Sequence, residues 1–227
     1  MITEQFTGRA QAYVKARPGY PDEAMEYIYN LSPQGAVFAD IGAGTGKFTE
    51  LLARYGNEIF AVEPNADMRE QLVITLAPFP NTKIFDGTGE TTNLPDKSVD
   101  VIISAQALSK FDGEAFKTEC LRIGKIDPLV ISLWNGEPGS EKLGNYEKPL
   151  NALYKNPTVR HFPNPIYFTR EKWLLYHVSM AGVPMTESDA HYKEYTAKLN
   201  ATFDRESVDG ILRHDLITKV YSERLEK

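Results

Sequence analysis

Asp40, Gly42, Gly44, Gly46 and Glu63 are the residues of this chain whose types and spacing suit chemistry. In Asp40-Ile41-Gly42-Ala43-Gly44-Thr45-Gly46-Lys47-Phe48, glycine at every second position lets the backbone approach a ligand with no Cβ between. The apolar run Ala36-Val37-Phe38-Ala39 before it reads as a short buried strand. Phe48, Leu51, Leu52 and Tyr55 after it recur at the spacing of one helix face. A strand, a glycine turn and a helix in that order direct unpaired N–H groups and a partial positive charge at whatever occupies the turn. A nucleotide-like ligand follows. A dinucleotide site prefers Gly-x-Gly-x-x-Gly, but Lys47 stands at the third glycine position; a phosphate loop needs Ser or Thr after Gly-Lys, and Phe48 stands there. Asp40, just ahead of the glycines, would repel a pyrophosphate and suits a cation. Glu63 follows at the end of the next apolar strand, and its acceptor-only carboxylate can take both hydroxyls of a ribose. The pattern fits a phosphate-free, cationic nucleoside, which is the description of S-adenosylmethionine.

The elements that position these residues alternate. Asp22 opens a helix bearing Met25, Ile28 and Tyr29. Ile59-Phe60-Ala61-Val62 is a second strand, Asn65 suits a helix N-cap, and Met68, Leu72 and Leu76 stripe the helix that follows. Lys83–Phe85, Val99–Ser104 and Leu129–Trp134 read as further strands, with Phe116, Cys120 and Ile123 on a helix between the last two. Nearly continuous apolar strands alternating with helices predict a Rossmann-like, doubly wound α/β fold: a mostly parallel sheet covered by helices on both faces. Such sheets bind ligands at the carboxyl ends of their strands. The expected layout is one domain over 1–227, with N-terminal lid helices in 1–30, a cofactor-binding core in 36–135, and an irregular excursion with C-terminal elements in 136–227. In that last part, the residues around Trp173, His177 and Ala181 predict a helix, Tyr192 to Phe203 a late strand, and Leu216 to Leu225 a final helix.

With 227 residues, 42% hydrophobic and 25% charged, the composition is that of a globular protein. A net charge of −6 argues against a nucleic-acid partner, and no apolar run approaches membrane-spanning length. Cys120 is the single cysteine, so no internal disulfide is possible, and Met1–Gln5 lacks the basic and apolar regions of a secretory leader. A cytoplasmic location is expected. The four histidines show no metal-ligand spacing, and no metal is expected.

The stretch from Phe6 to Asn135 resembles class I S-adenosylmethionine-dependent methyltransferases. It is most similar to the small-molecule type 11 group that includes trans-aconitate-methyltransferase-like proteins. The resemblance is carried by Phe6-Thr7-Gly8-Arg9-Ala10 with Tyr13, Arg17-Pro18-Gly19-Tyr20-Pro21, the glycine turn, and Ala61-Val62-Glu63-Pro64-Asn65 with Met68. It continues through Asp86-Gly87-Thr88-Gly89-Glu90, Leu94-Pro95-Asp96, Ser98-Val99-Asp100, Ala105-Gln106-Ala107 and Trp134-Asn135.

The resemblance implies methyl transfer from S-adenosylmethionine, leaving S-adenosylhomocysteine, to a small acceptor such as a carboxylate or hydroxyl. Gly42, Gly44 and Gly46 would pass beneath the methionine moiety and Asp40 would lie near its amino group. Glu63 would hold the ribose, and Pro64 and Met68 would pack on the adenine. Thr88, Gly89 and Glu90 would edge the adenine, and Gln106 would face the methyl group. Tyr13, Arg17 and Tyr20 would form a lid, one of them pairing the methionine carboxylate. The chain departs from its relatives at Ser109-Lys110-Phe111, where many read His-Trp-Phe. No general base is evident; His161, in the irregular excursion, and Gln106 are the candidates for a catalytic role. For a carboxylate acceptor, Lys110 or Arg160 is a candidate cation. Asn164-Pro165-Ile166-Tyr167 resembles the Asn-Pro-Pro-Tyr of amino-group methyltransferases but stands far from the fourth strand, where that motif belongs. Two other classes stay open: a binding protein that keeps the cofactor site without turnover, and an NAD-dependent oxidoreductase, which the glycine spacing disfavours.

Overall fold

The computed structural model of the chain describes Val14 and residues 16–139, 143–180, 182–184 and 186–226. Residues 1–13, Tyr13 among them, and residue 15 of the expected N-terminal lid lie outside these residues. The strands are β1 (Phe38–Ile41), β2 (Ile59–Val62), β3 (Thr82–Phe85), β4 (Val99–Ala105), β5 (Gly124–Gly136), β6 (Thr158–Pro163), β7 (Ile166–Phe168), β8 (Leu212–His214) and β9 (Ile217–Arg224). The helices are α1 (Asp22–Leu31), α2 (Lys47–Ala53), α3 (Ala66–Leu76), α4 (Gly113–Ile123), α5 (Glu147–Leu153), α6 (Arg170–Val178) and α7 (Tyr192–Glu206).

Seven strands form one sheet in the order β3-β2-β1-β4-β5-β9-β6. The first five run parallel, and β9 is inserted antiparallel between β5 and β6. Alternation along each strand sends side chains into two cores. Phe38, Ile59, Val101 and Ile103 meet Met25 and Ile28 of α1 and Phe48 and Leu52 of α2. On the opposite face, Ala39, Phe60 and Ile102 share a core with Phe116, Cys120 and Ile123 of α4 and Leu150 and Leu153 of α5. Each large side chain buried this way contributes about 1.5–3 kcal/mol, so both faces anchor the strand ends where the loops converge. The expected doubly wound fold is present.

Two expectations beyond Trp134 are reversed. Leu216 to Leu225 is the strand β9 rather than a helix: Val220 enters the core beneath α1 and α2, while its neighbour Tyr221 packs on Trp134 on the other face. Consecutive apolar residues facing opposite ways are a strand signature, and their chance agreement with helical spacing misled. Tyr192 to Phe203 is not a strand but part of α7, where Tyr195, Leu199 and Phe203 line one side at four-residue intervals. With Phe168, Trp173 and Leu212 they close a separate small core around α6, β7 and β8. The excursion after Trp134 also contains α5 and β6.

Candidate active site

The carboxyl ends of β2, β1, β4 and β5 lie side by side in the sheet order. They carry Glu63, the glycine turn, Gln106 and Asn135 respectively. The turn is fixed by its own backbone: the N–H groups of Gly42 and Ala43 donate to the Val62 carbonyl at 2.9 and 3.0 Å. Gly44 has φ +58°, and a Cβ there would point into open space. Gly46 has φ +86° and caps α2; a Cβ there would lie 2.7 Å from Leu72 Cδ1. Gly44 therefore faces the cleft, whereas Gly46 is pressed under α3.

Glu63 is 7% exposed. Its Oε2 accepts from Gly44 N–H at 2.8 Å and its Oε1 from Asn65 N–H at 2.9 Å. Asn65 in turn caps α3 by accepting from Met68 N–H at 3.0 Å, as expected. Arg69 holds the same corner by donating to the carbonyls of Glu63 and Pro64 and pairing with Asp86. Burial raises the pKa of Glu63, and the two backbone N–H groups, then Lys110 and Arg69, oppose that shift.

One cleft is lined by Gly42, Gly44, Glu63, Pro64, Met68, Ala105, Gln106, Ala107, Lys110 and Phe111. An adjoining cavity is lined by Arg17, Pro18, Tyr20, Lys47, Gln106, Asn135 and Tyr176. Gln106 is common to both. It follows the end of β4 with φ +61°, a conformation rare for a residue with a Cβ, and its N–H donates to the Leu133 carbonyl at 2.8 Å. That bond holds a strained residue where the two spaces meet.

The structure thus brings Gly42, Gly44, Glu63, Pro64, Met68 and Gln106 to one cleft and Arg17 to its neighbour. Tyr20 joins Arg17 there, while among the described candidates Asp40, Gly46, Thr88, Gly89, Glu90, Arg160 and His161 line neither space. Asp40 is fully buried, with Oδ2 accepting from Thr49 of α2 at 2.6 Å, so it lies behind the turn rather than on the cleft wall. Burial pushes its pKa up to about 7, against the Thr49 bond, with Glu63 adding to the rise. Thr88 is exposed and bonds within its own loop to Thr91, and Glu90 accepts from Asp112 N–H at 2.9 Å. Gly89 lies under the Phe111 ring, where a Cβ would come within 2.7 Å. That ring, not the loop of residues 86–90, forms the cleft lining on this side. His161 is exposed on the edge strand β6, separated from β4 by β9 and β5, and Arg160 is exposed beside it. Neither reaches the cleft.

Lys110 does reach it, although its only sequence signal was a departure from the relatives. Burial lowers its pKa to about 8; the charge of Glu63 acts upward and that of Arg17 downward. Asn135 and Tyr176 are further lining residues that sequence reasoning missed. His177 packs edge-on to Trp173 with ring centroids 4.1 Å apart, and burial lowers its pKa to about 4. It is neutral at pH 7.

Residues 39–131 match the family model described as Methyltransferase domain. The matched segment runs from β1 into β5. An uncharacterized methyltransferase of Mycobacterium tuberculosis is 33% identical over 139 residues, covering 61% of this chain and 54% of that protein. An uncharacterized methyltransferase-like protein of Schizosaccharomyces pombe is 32% identical over 162 residues, covering 66% of this chain and 62% of that protein. The chain therefore spans only a little more than half the length of the curated relatives it matches. A solved structure from Anaeromyxobacter dehalogenans, described as a candidate type II methyltransferase, superposes with a TM-score of 0.70 at 18% identity, covering 93% of this chain and 99% of that one. The fold is the Rossmann-like fold of class I methyltransferases. Among the described residues, no group of three or more His, Cys, Asp or Glu side chains is arranged to hold a metal ion, and no helix is long and apolar enough to cross a membrane.

Proposed function

We propose that this chain is an S-adenosylmethionine-dependent methyltransferase acting on a small-molecule acceptor, within the trans-aconitate-methyltransferase-like group of the type 11 enzymes. One observation carries the reading. The two backbone N–H bonds to Glu63 use one lone pair on each carboxylate oxygen. A carboxylate has about four such sites, so one remains on each oxygen, the arrangement that a ribose diol requires. Gly44, open to the same cleft, and the apolar Pro64 and Met68 fit the rest of a nucleoside.

When bound, the cofactor supplies a methyl group on a positive sulfur that is its own leaving group. The protein's part is then to bind, orient and exclude water. Glu63 fixes the ribose, Met68 and Pro64 meet the base, and Gln106 lies between that cleft and the adjoining cavity, which takes the cofactor's amino-acid end or a group of the acceptor. Holding an acceptor in line can lower a barrier by roughly 7–11 kcal/mol. A carboxylate acceptor needs no base. A hydroxyl would need one, and Lys110, partly neutral near its pKa of about 8, is the titratable group at hand. The single cysteine, buried Cys120, supports a cytoplasmic setting.

Calorimetric titration with S-adenosylmethionine, S-adenosylhomocysteine and NAD, followed by detection of S-adenosylhomocysteine across an acceptor panel, tests this. Binding of the first two with turnover is expected. NAD binding in preference to both would overturn the reading.

A further inference from the structure

Asn164, discarded above as an echo of an unrelated motif, is 7% exposed and 145 residues from the segment it holds. Its Nδ2 carries two hydrogens shared among three acceptors, the Gly19 carbonyl at 3.1 Å, Asn135 Oδ1 at 3.1 Å and Thr218 Oγ1 at 3.3 Å. Thr218 is fully buried and paired with Asn135 in the β5–β9 register; its hydroxyl donates to Asn135 Oδ1 at 2.7 Å. Asn135 Nδ2 donates to the same Gly19 carbonyl at 3.2 Å. Both lone pairs of Asn135 Oδ1 are thus taken, which fixes the amide's orientation. One of its N–H bonds goes to Gly19, and the other is given to no described residue.

Asn135 lines the cavity with Arg17, Lys47 and Tyr176. Arg17 and Lys47 can only donate hydrogen bonds, and Asn135 is locked as a donor beside them. Lys47 Nζ also donates to the carbonyls of Val14 and Arg17, fastening the segment before Gly19 to α2. A cavity walled by fixed donors and two cations selects an oxyanion. Strands lie about 4.8 Å apart, so a ligand with its ribose on Glu63 at β2 crosses β1 and β4 before its far end meets Asn135 at β5.

We infer that Asn135 is a further ligand-binding residue, locked by Asn164 and Thr218 so that one N–H pins the lid at Gly19 and the other binds a carboxylate in the cavity beyond Gln106. This rests on the proposed nucleoside site. Two carboxylates can serve: the amino-acid end of the cofactor or a group on the acceptor. Asn164 and Thr218 are positioning residues, since they act only through Asn135 and Gly19.

The test uses the full chain and calorimetry with S-adenosylhomocysteine and with 5′-methylthioadenosine, which lacks the amino-acid end. In Asn164→Asp, a carboxylate would oppose two acceptor oxygens, the Gly19 carbonyl and Asn135 Oδ1; Thr218→Val, of nearly equal volume, removes the hydroxyl that donates to Asn135 and accepts from Asn164 while leaving the Asn164–Gly19 bond in place. If the cofactor's carboxylate is the ligand, Asn164→Asp and Asn135→Ala weaken S-adenosylhomocysteine about tenfold, Thr218→Val weakens it severalfold, and 5′-methylthioadenosine changes less than twofold. If the acceptor's is the ligand, both adenosine ligands are unchanged, while glutarate titrated into the S-adenosylhomocysteine complex binds the wild type and is lost from all three variants. Equal weakening of both adenosine ligands, or no change with any probe, overturns the inference. Failure of the wild type to bind either adenosine ligand would instead overturn the proposed function on which it stands.

Discussion

Replacing Glu63 by glutamine tests the ribose assignment with almost no change of shape. The carboxylate now accepts Gly44 N–H at 2.8 Å and Asn65 N–H at 2.9 Å in a site only 7% exposed. An amide keeps one acceptor oxygen and turns an NH2 group toward the other backbone N–H. One buried donor is then left unsatisfied, at about 1–3 kcal/mol of stability. On the ligand side, one of the two remaining acceptor positions becomes a donor. A hydrogen bond to a charged group contributes about 1.5–3 kcal/mol, which corresponds to about a tenfold to hundredfold rise in Kd. Glu63→Ala is expected to lose at least tenfold as well. Titration with S-adenosylhomocysteine at pH 7.5, with urea unfolding of the same samples, separates the two effects. The charge also predicts a pH dependence. Burial raises the Glu63 pKa, so binding that needs the carboxylate weakens as pH falls through that raised value in the wild type, and the glutamine variant lacks this step. A glutamine variant that binds within twofold of the wild type would refute the ribose assignment.

Two further outcomes concern the turn itself. Gly46→Ala places a Cβ 2.7 Å from Leu72 Cδ1 at φ +86°, and left-handed backbone with a Cβ costs about 1–2 kcal/mol before any clash. A loss of about 2–3 kcal/mol in urea unfolding is expected, and an unchanged midpoint at constant slope would contradict the packing described for α3. Asp40→Asn should flatten part of the pH dependence of stability. The folded-state pKa of Asp40 is raised from 3.8 to about 7, so the stability its proton confers is present below 3.8 and lost as pH rises through about 7. At about 1.4 kcal/mol per pH unit the ceiling is about 4 kcal/mol. The variant should gain on the wild type between pH 4 and 7 in urea titrations, and a difference independent of pH would show that Asp40 does not titrate there.

The core of this fold was legible because local and global signals agree over residues 36–135. Ile59–Val62 is β2 at both ends, and Asn65 caps α3 as its type foretold. β2 is apolar throughout, β1 is interrupted only by Asp40, and α4 carries Phe116, Cys120 and Ile123 on its buried side. Past Trp134 that agreement fails, since β9 is covered on both faces and its apolar residues fall at intervals that also suit a helix. The site divides along the same line. Glu63, Pro64 and Met68 follow from their place at the end of a recognisable strand. Thr88 and Glu90 stand equally near a strand end, yet the Phe111 ring takes the position between Gly89 and the cleft, which no spacing rule encodes.

The clearest failure is the most informative about how the cleft is built. Asn164 belongs to no local pattern, because its partners are Gly19, Asn135 and Thr218, brought together only by the order β4-β5-β9-β6 and the register of β9. A buried amide with three acceptors around it is a costly group to leave unmatched. Its hydrogen bonds tie the segment entering α1 to the last strands of the sheet. The glycine turn and Glu63 can grip a nucleoside using residues close in sequence. Closing the far end of the same cleft requires the segment before α1 to meet the end of β5 and the turn after β6, and the Gly19 carbonyl, bonded by Asn135 and Asn164, is where they do.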